Sequence, residues 1–138
     1  MTSPGLPLKA ETIAVRGEQD IVTVRQRVRF MAVALKLSLV DQTKMVTAAS
    51  ELARNLWIYG GGGEVTMTEV ANGARRGIRV DFVDHGPGIS DIEQALRDGY
   101  TSGSGMGLGL GGAKRLVNEF EIESAVGKGT RVSITRWK

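Results

Sequence analysis

The chain has no cysteine and only one histidine, His85. The first absence excludes a disulfide framework and a thiolate-held metal, and it fits a reducing cytoplasm, where the protein is expected to reside. The second excludes a histidine-based metal cluster. Aromatic residues make up only 5% of the sequence, and no nucleic-acid-binding motif is present, so no nucleic-acid partner is expected. Apolar runs fall short of the roughly 18 residues that a membrane span needs, and Met1 to Pro7 offer neither a basic segment nor an apolar signal core, so no membrane association is expected. Proline is scarce as well, and two of the three prolines lie within residues 1–8. Residues 1–9 therefore read as a flexible N-terminus, and residues 10–138 as one domain, within the usual range of roughly 100–200 residues.

Glycine is what the chain has in excess. Its 19 glycines cluster at residues 60–63, 86–88 and 103–112, and clusters of this kind mark places where backbone must come close to something else. The net charge is only +3. Arg16, Arg25, Arg27, Arg29 and Lys36 are nevertheless close in sequence, and they suit either an acidic partner or, more plainly, a solvated helix face.

Periodicity divides the chain into alternating helices and strands. Glu11 to Arg16 reads as a short strand. Apolar residues at 24, 28, 31, 32, 35 and 39 have helical spacing, and a second stripe at Met45, Ala48, Ala49, Leu52, Leu56 and Tyr59 predicts a helix from about Asp41 to Tyr59, capped by Asp41 and stopped at Gly60. The period then changes to two. Glu64 to Ala71 and Gly77 to Asp84 form an expected hairpin around Asn72-Gly73. A short helix over Asp91 to Arg97, a glycine-rich loop over Asp98 to Gly107 and a helix over Gly109 to Phe120 follow. Strands at Glu121 to Val126 and Thr130 to Trp137 close the order. The fold class expected is α/β, a two-layer α/β sandwich with helices on one face of a mostly antiparallel sheet.

Four groups of residues carry possible chemistry, each with a plainer alternative. Glu51 and Asn55 lie one helical turn apart on one face. They can hold Mg²⁺, or Glu51 can accept a proton from an attacking hydroxyl, or the two can be a solvent-facing polar pair. Asp84 shares the inward parity of Ile78, Val80 and Phe82, so it can meet an adenine amine beside the Gly86-Pro87-Gly88 turn; it can also simply open that turn. In the stretch Thr101 to Gly112, glycines free successive N–H groups to converge on phosphates ahead of a helix, with Lys114 and Arg115 close behind. No Gly-Lys-Ser/Thr ends the stretch and no parallel βαβ unit precedes it, so neither a P-loop nor a dinucleotide fold is expected. Thr130 shares its parity with Val132 and Ile134, which turns its hydroxyl inward beside Gly127 and Gly129; strand propensity alone also accounts for a threonine there.

The ordered set Glu51-x-x-x-Asn55, Asp84-x-Gly86-x-Gly88, Gly105-x-Gly107-x-Gly109 and Gly129-Thr130 resembles the ATP-binding domain of the GHKL superfamily over about residues 35–138. This resemblance implies the GHKL (Bergerat) fold and ATP with Mg²⁺ as cofactors. It further implies Asn55 on the metal, Glu51 as catalytic base, and Asp84 on the adenine with Gly86, Gly88, Ile89 and Thr130 nearby. Over the phosphates it implies a lid comprising Thr101, Ser102, Gly103, Gly105, Met106, Gly107, Leu108 and Gly109. His85 lies within the adenine turn, so autophosphorylation on a histidine is excluded. The phrases Leu39-Val-Asp-Gln-Thr-Lys, Ser50-Glu-Leu-Ala-Arg-Asn, Asp84-His-Gly-Pro-Gly-Ile and Lys114-Arg-Leu-Val-Asn-Glu-Phe resemble the RsbT-type serine/threonine switch kinases. That likeness implies a STAS-domain antagonist protein as substrate and a phosphatase activated by binding. Two alternatives carry the same pocket: an anti-sigma factor that sequesters a sigma factor, and an ATP-shaped binding module without essential catalysis.

Overall fold

The computed structural model describes residues 9–97 and 109–138. Strand β1 (Lys9–Val15) leads into α1 (Glu18–Ala34) and α2 (Leu39–Ile58), followed by β2 (Gly63–Asn72), β3 (Arg75–Asp84), α3 (Ile92–Ala95), α4 (Gly109–Arg115), β4 (Glu119–Ala125) and β5 (Gly129–Trp137). The sheet order is β1-β2-β3-β5-β4, and every neighbouring pair is antiparallel. The expected two-layer sandwich is therefore present, with helices over one sheet face. Among the described residues no helix is long and apolar enough to cross a membrane.

Alternation selects the face that the helices cover. Val65 and Met67 of β2, Ile78, Val80 and Phe82 of β3, and Val132 and Ile134 of β5 are buried against Val24, Val28 and Met31 of α1 and Met45, Leu52 and Leu56 of α2. Full burial of a side chain such as Ile78 contributes about 1.5–3 kcal/mol. The opposite face is polar: Asp81 accepts hydrogen bonds from the Ser133 hydroxyl and from Arg79 Nε at 3.2 Å. This pairing is how Ser133 comes to be buried on the face away from the helices.

Several element ends differ from those the sequence suggests. Helix α1 stops at Ala34, well short of Leu39, because Lys36 adopts φ 61°. The Lys36 N–H then reaches the Val33 carbonyl and the Leu37 N–H the Ala32 carbonyl, which is a Schellman ending with lysine where glycine is usual. Leu37 is buried as part of this ending, whereas Leu39 is 71% exposed and opens α2. The cap of α2 is Ser38 and not Asp41; its Oγ accepts the Asp41 N–H at 3.1 Å. Asp41 instead accepts from Arg136 Nη2 at 2.5 Å, while Arg136 Nη1 donates to the Leu116 carbonyl at 2.9 Å. The arginine so ties the start of α2 to β5 and to the segment after α4.

Helix α4 is also shorter than its apolar spacing implies. Asn118 N–H already bonds to the Thr135 carbonyl at 2.9 Å, and Phe120 lies in β4 opposite Ile134. Helix α3 is reduced to Ile92–Ala95, capped by Asp91. The β2–β3 connection is the two-residue turn Gly73-Ala74, with Gly73 at φ 63°, as suits a hairpin with glycine first.

Candidate functional site

Four strands meet in register at one end of the sheet. Asp84 of β3 stands opposite Gly63 of β2 on one side and Thr130 of β5 on the other, and Thr130 is opposite Ser124 of β4. Over this end lies the last part of α2, where Leu52 and Leu56 are buried and Asn55 and Tyr59 sit at the margin. Between them is a cavity of about 380 Å³, within the size range of small-ligand sites. Its walls include Leu52, Phe82, Leu110 and Val132, which give it an apolar lining. Its polar points include Asn55, Asp84 and Thr130 together with Tyr59, Ser90, Asp91 and Gln94, and Gly88, Ile89 and Gly109 also line it.

The Gly86-Pro87-Gly88 turn is fixed from three sides. Asp84 Oδ1 accepts the Gly86 N–H at 2.9 Å, the Pro87 carbonyl accepts the Gly127 N–H at 2.8 Å, and the Ile89 N–H donates to Ser124 Oγ at 2.8 Å. So Asp84 opens the turn and also lines the cavity. Gly88 has φ 78°, and a Cβ there would lie 2.0 Å from the Ala125 carbonyl oxygen. Only glycine fits that position. Gly86 packs on the Gly60 backbone, where a Cβ would lie 2.8 Å from the Gly60 carbonyl oxygen, but it does not line the cavity.

The sequence-selected residues fall into three sets. Asn55, Asp84, Gly88, Ile89, Gly109 and Thr130 converge on the cavity. Glu51 is half-buried one turn before Asn55 and does not line the cavity. Thr101, Ser102, Gly103, Gly105, Met106, Gly107 and Leu108 lie outside the described residues, so the lid reading rests on sequence. Two contributors escaped sequence reasoning. Gly60 belongs to a visible glycine cluster yet gives no hint that it abuts Asp84. Ser124 gives no sequence signal at all, because its partners come from β5 and from the turn after β3.

Chemically, the cavity offers apolar walls with hydrogen-bond acceptors at Asp84 and Thr130, which suits a heterocycle bearing an amino group. Among the described residues no cluster of three acidic or histidine side chains is suited to hold a metal ion. Asn55 offers a single amide oxygen at the cavity margin, too few donors for an all-protein cation site.

The family profile described as histidine kinase-, DNA gyrase B- and HSP90-like ATPase matches residues 40–138. Serine/threonine-protein kinase RsbT of Bacillus subtilis is 40% identical over 125 residues, spanning 91% of this chain and 94% of the relative. The anti-sigma F factor of a Thermoanaerobacter species is 33% identical over 97 residues, 66% of either chain. Among solved structures, the RsbU and RsbW domains of a Mycobacterium tuberculosis protein superpose with a TM-score of 0.62 at 20% identity, over 96% of this chain and 34% of that one. That likeness is one of fold, and this chain spans about a third of the larger structure. By sequence and fold together, the chain belongs to the histidine kinase-, DNA gyrase B- and HSP90-like ATPases and, within them, to the RsbT group of serine/threonine-protein kinases.

Proposed function

We propose that this kinase acts in a partner-switching module, where it transfers the γ-phosphate of Mg-ATP to a serine or threonine of a STAS-domain antagonist protein. Once released from that antagonist, it binds and activates a phosphatase. The observation that carries the reading is the match to a serine/threonine kinase over 94% of that relative's length, in a chain whose Asp84, Thr130 and Asn55 share one cavity.

In this reading Asp84 accepts from the exocyclic amine of adenine, and Gly88 and Ile89 let backbone approach the base. Phe82 and Val132 exclude water from beneath it. Asn55 holds Mg²⁺, which neutralises phosphate charge when bound. Gly103, Gly105 and Gly107 would present N–H groups to the phosphates ahead of α4, which opens at Gly109. Glu51, one turn from Asn55, takes the proton of the acceptor hydroxyl. Its position outside the cavity that would hold the base is compatible with work at the far, phosphate-bearing end of the nucleotide.

The similarity to an anti-sigma F factor favours a second reading, in which the same chain sequesters a sigma factor. Transfer of labelled γ-phosphate from Mg-ATP to STAS-domain proteins encoded beside this gene, with Asn55→Ala as control, separates the two. Label on a serine or threonine that disappears in the variant is the expected result. Tight ATP binding without transfer, together with capture of a sigma factor, would replace the kinase reading with the second.

A further inference from the structure

Ser124 lies behind Thr130 and does not itself line the cavity. Its Oγ has three polar neighbours: the Ile89 N–H at 2.8 Å, the Gly129 carbonyl at 3.0 Å and Thr130 Oγ1 at 2.7 Å. A hydroxyl has one proton and two lone pairs. The Gly129 carbonyl only accepts, so it receives the Ser124 proton. The Ile89 amide only donates, so it occupies one lone pair. The remaining lone pair is open only to a donor, and the Thr130 hydroxyl fills it with its own single proton. Thr130 is thereby turned with its proton towards Ser124 and its lone pairs free to face the cavity that it lines.

We infer that Ser124 is a positioning residue that sets base specificity: by accepting a hydrogen bond from Thr130, it makes the Thr130 hydroxyl an acceptor towards the ligand. Thr130 stands opposite Asp84 across β3 and β5, and a carboxylate oxygen accepts as well. At this pair of residues the cavity therefore presents acceptors. In a pose that points position 6 of a purine at Asp84 and Thr130, these acceptors fit an amino group and oppose a carbonyl oxygen, whose lone pairs would face lone pairs. The same Ser124 Oγ holds the Ile89 N–H, so the turn beneath the base and the polarity of Thr130 are set by one atom. The inference rests on the nucleotide reading above and adds to it the group that enforces the choice of base.

Binding of ADP and GDP to the full chain, measured by calorimetry with Mg²⁺ for the parent, Ser124→Ala and Ser124→Thr, tests this. In Ser124→Ala the Thr130 hydroxyl is released to rotate and donate. The preference for ADP over GDP is expected to fall about tenfold, the equivalent of one hydrogen bond, and Ser124→Thr, which keeps the hydroxyl, is expected to restore it. Ser124→Cys, whose thiol is a weak acceptor, is expected to lower the preference as well if Ser124→Ala does not fold. A preference that stays within about twofold of the parent, or equal losses for both nucleotides, would overturn the inference by reducing Ser124 to a structural role. If the parent binds both nucleotides equally, this inference alone falls; if it binds neither, the nucleotide reading falls and takes this inference with it.

Discussion

Gly60 and Asp84 approach more closely than a methyl group permits: a Cβ on Gly60 would lie 2.5 Å from Asp84 Cγ and 2.6 Å from its Oδ2. The helix end that follows Asn55 and the strand end that carries Asp84 are thus held at a fixed separation by the lack of one side chain.

Gly60→Ala is accordingly expected to act on affinity and on stability together. Gly60 does not need a left-handed backbone, but a Cβ there would also lie 2.7 Å from Asp84 Cβ, which rotation of the carboxylate cannot move, so the helix end and the strand end must part. ATP affinity is expected to fall about tenfold or more, and stability by about 1–3 kcal/mol. Calorimetric titration and a thermal melt on the same sample check both halves of this expectation.

The proposed division of labour on α2 predicts opposite phenotypes for two residues one turn apart. Glu51→Gln is expected to lower phosphate transfer at least about 100-fold, the usual contribution of a positioned base, while the Kd for ATP stays within about twofold. Asn55→Ala is expected to weaken ATP binding in Mg²⁺ and to change it little in excess chelator. Single-turnover transfer and equilibrium binding, each with and without the metal, read out these effects. An Asn55→Ala defect that persists unchanged in chelator would remove Asn55 from the metal.

Arg136 makes one part of the stability depend on pH. Its hydrogen bond to Asp41 holds the Asp41 carboxyl below the ordinary value of 3.8. A carboxyl lowered in the folded state stabilises the fold fully above its unfolded value and loses that contribution as pH falls through the folded one. Asp41→Asn is therefore expected to lower stability by about 1–3 kcal/mol at pH 7. The gap to the parent should narrow once the pH drops below 3.8. Denaturant unfolding at a series of pH values follows that gap, and a constant difference down to strongly acid pH would show that the ion pair is not its source.

Lys36 is the opposite case, a position where the natural residue is not the most stable one. A non-glycine residue in the left-handed region costs about 1–2 kcal/mol, part of which glycine returns through its larger freedom when unfolded. Lys36→Gly is expected to raise stability by about 0.5–1 kcal/mol, or the melting temperature by about 2–4 °C. Thermal unfolding of the single variant suffices to check this.

Lys36 also shows where the sequence ceased to be informative. The stripe at Val24, Val28, Met31 and Ala32 and the alternation of Ile78, Val80 and Phe82 were legible because burial imposes a period on residues of the same element. Leu39 continued the helical period by coincidence, and the true end of α1 lies at a lysine that carries no breaker signal. Phe120 misled in the same way, since it fits four residues after Leu116 on a helix as well as two before Ile122 on a strand. In the site, Asp84, Asn55 and Thr130 were legible because an ordered motif names them. Gly60 and Ser124 were not, because each acts on a partner brought to it by pairing between strands remote in the chain, and no local pattern records such a meeting.

Strand β5 follows every other described element in the chain, yet it lies between β3 and β4 in the sheet. The contacts between α1 and α2 and the β2–β3 hairpin are local and close quickly, whereas the β3–β5 pairing that sets Thr130 beside Asp84 must enclose the whole intervening excursion, and long closures come late. As the ribosome delivers the chain from its N-terminus, Asp84, Asn55 and the turn at Gly88 emerge well before Thr130. The cavity that Asp84 and Thr130 share is thus completed only when β5 slides into the sheet.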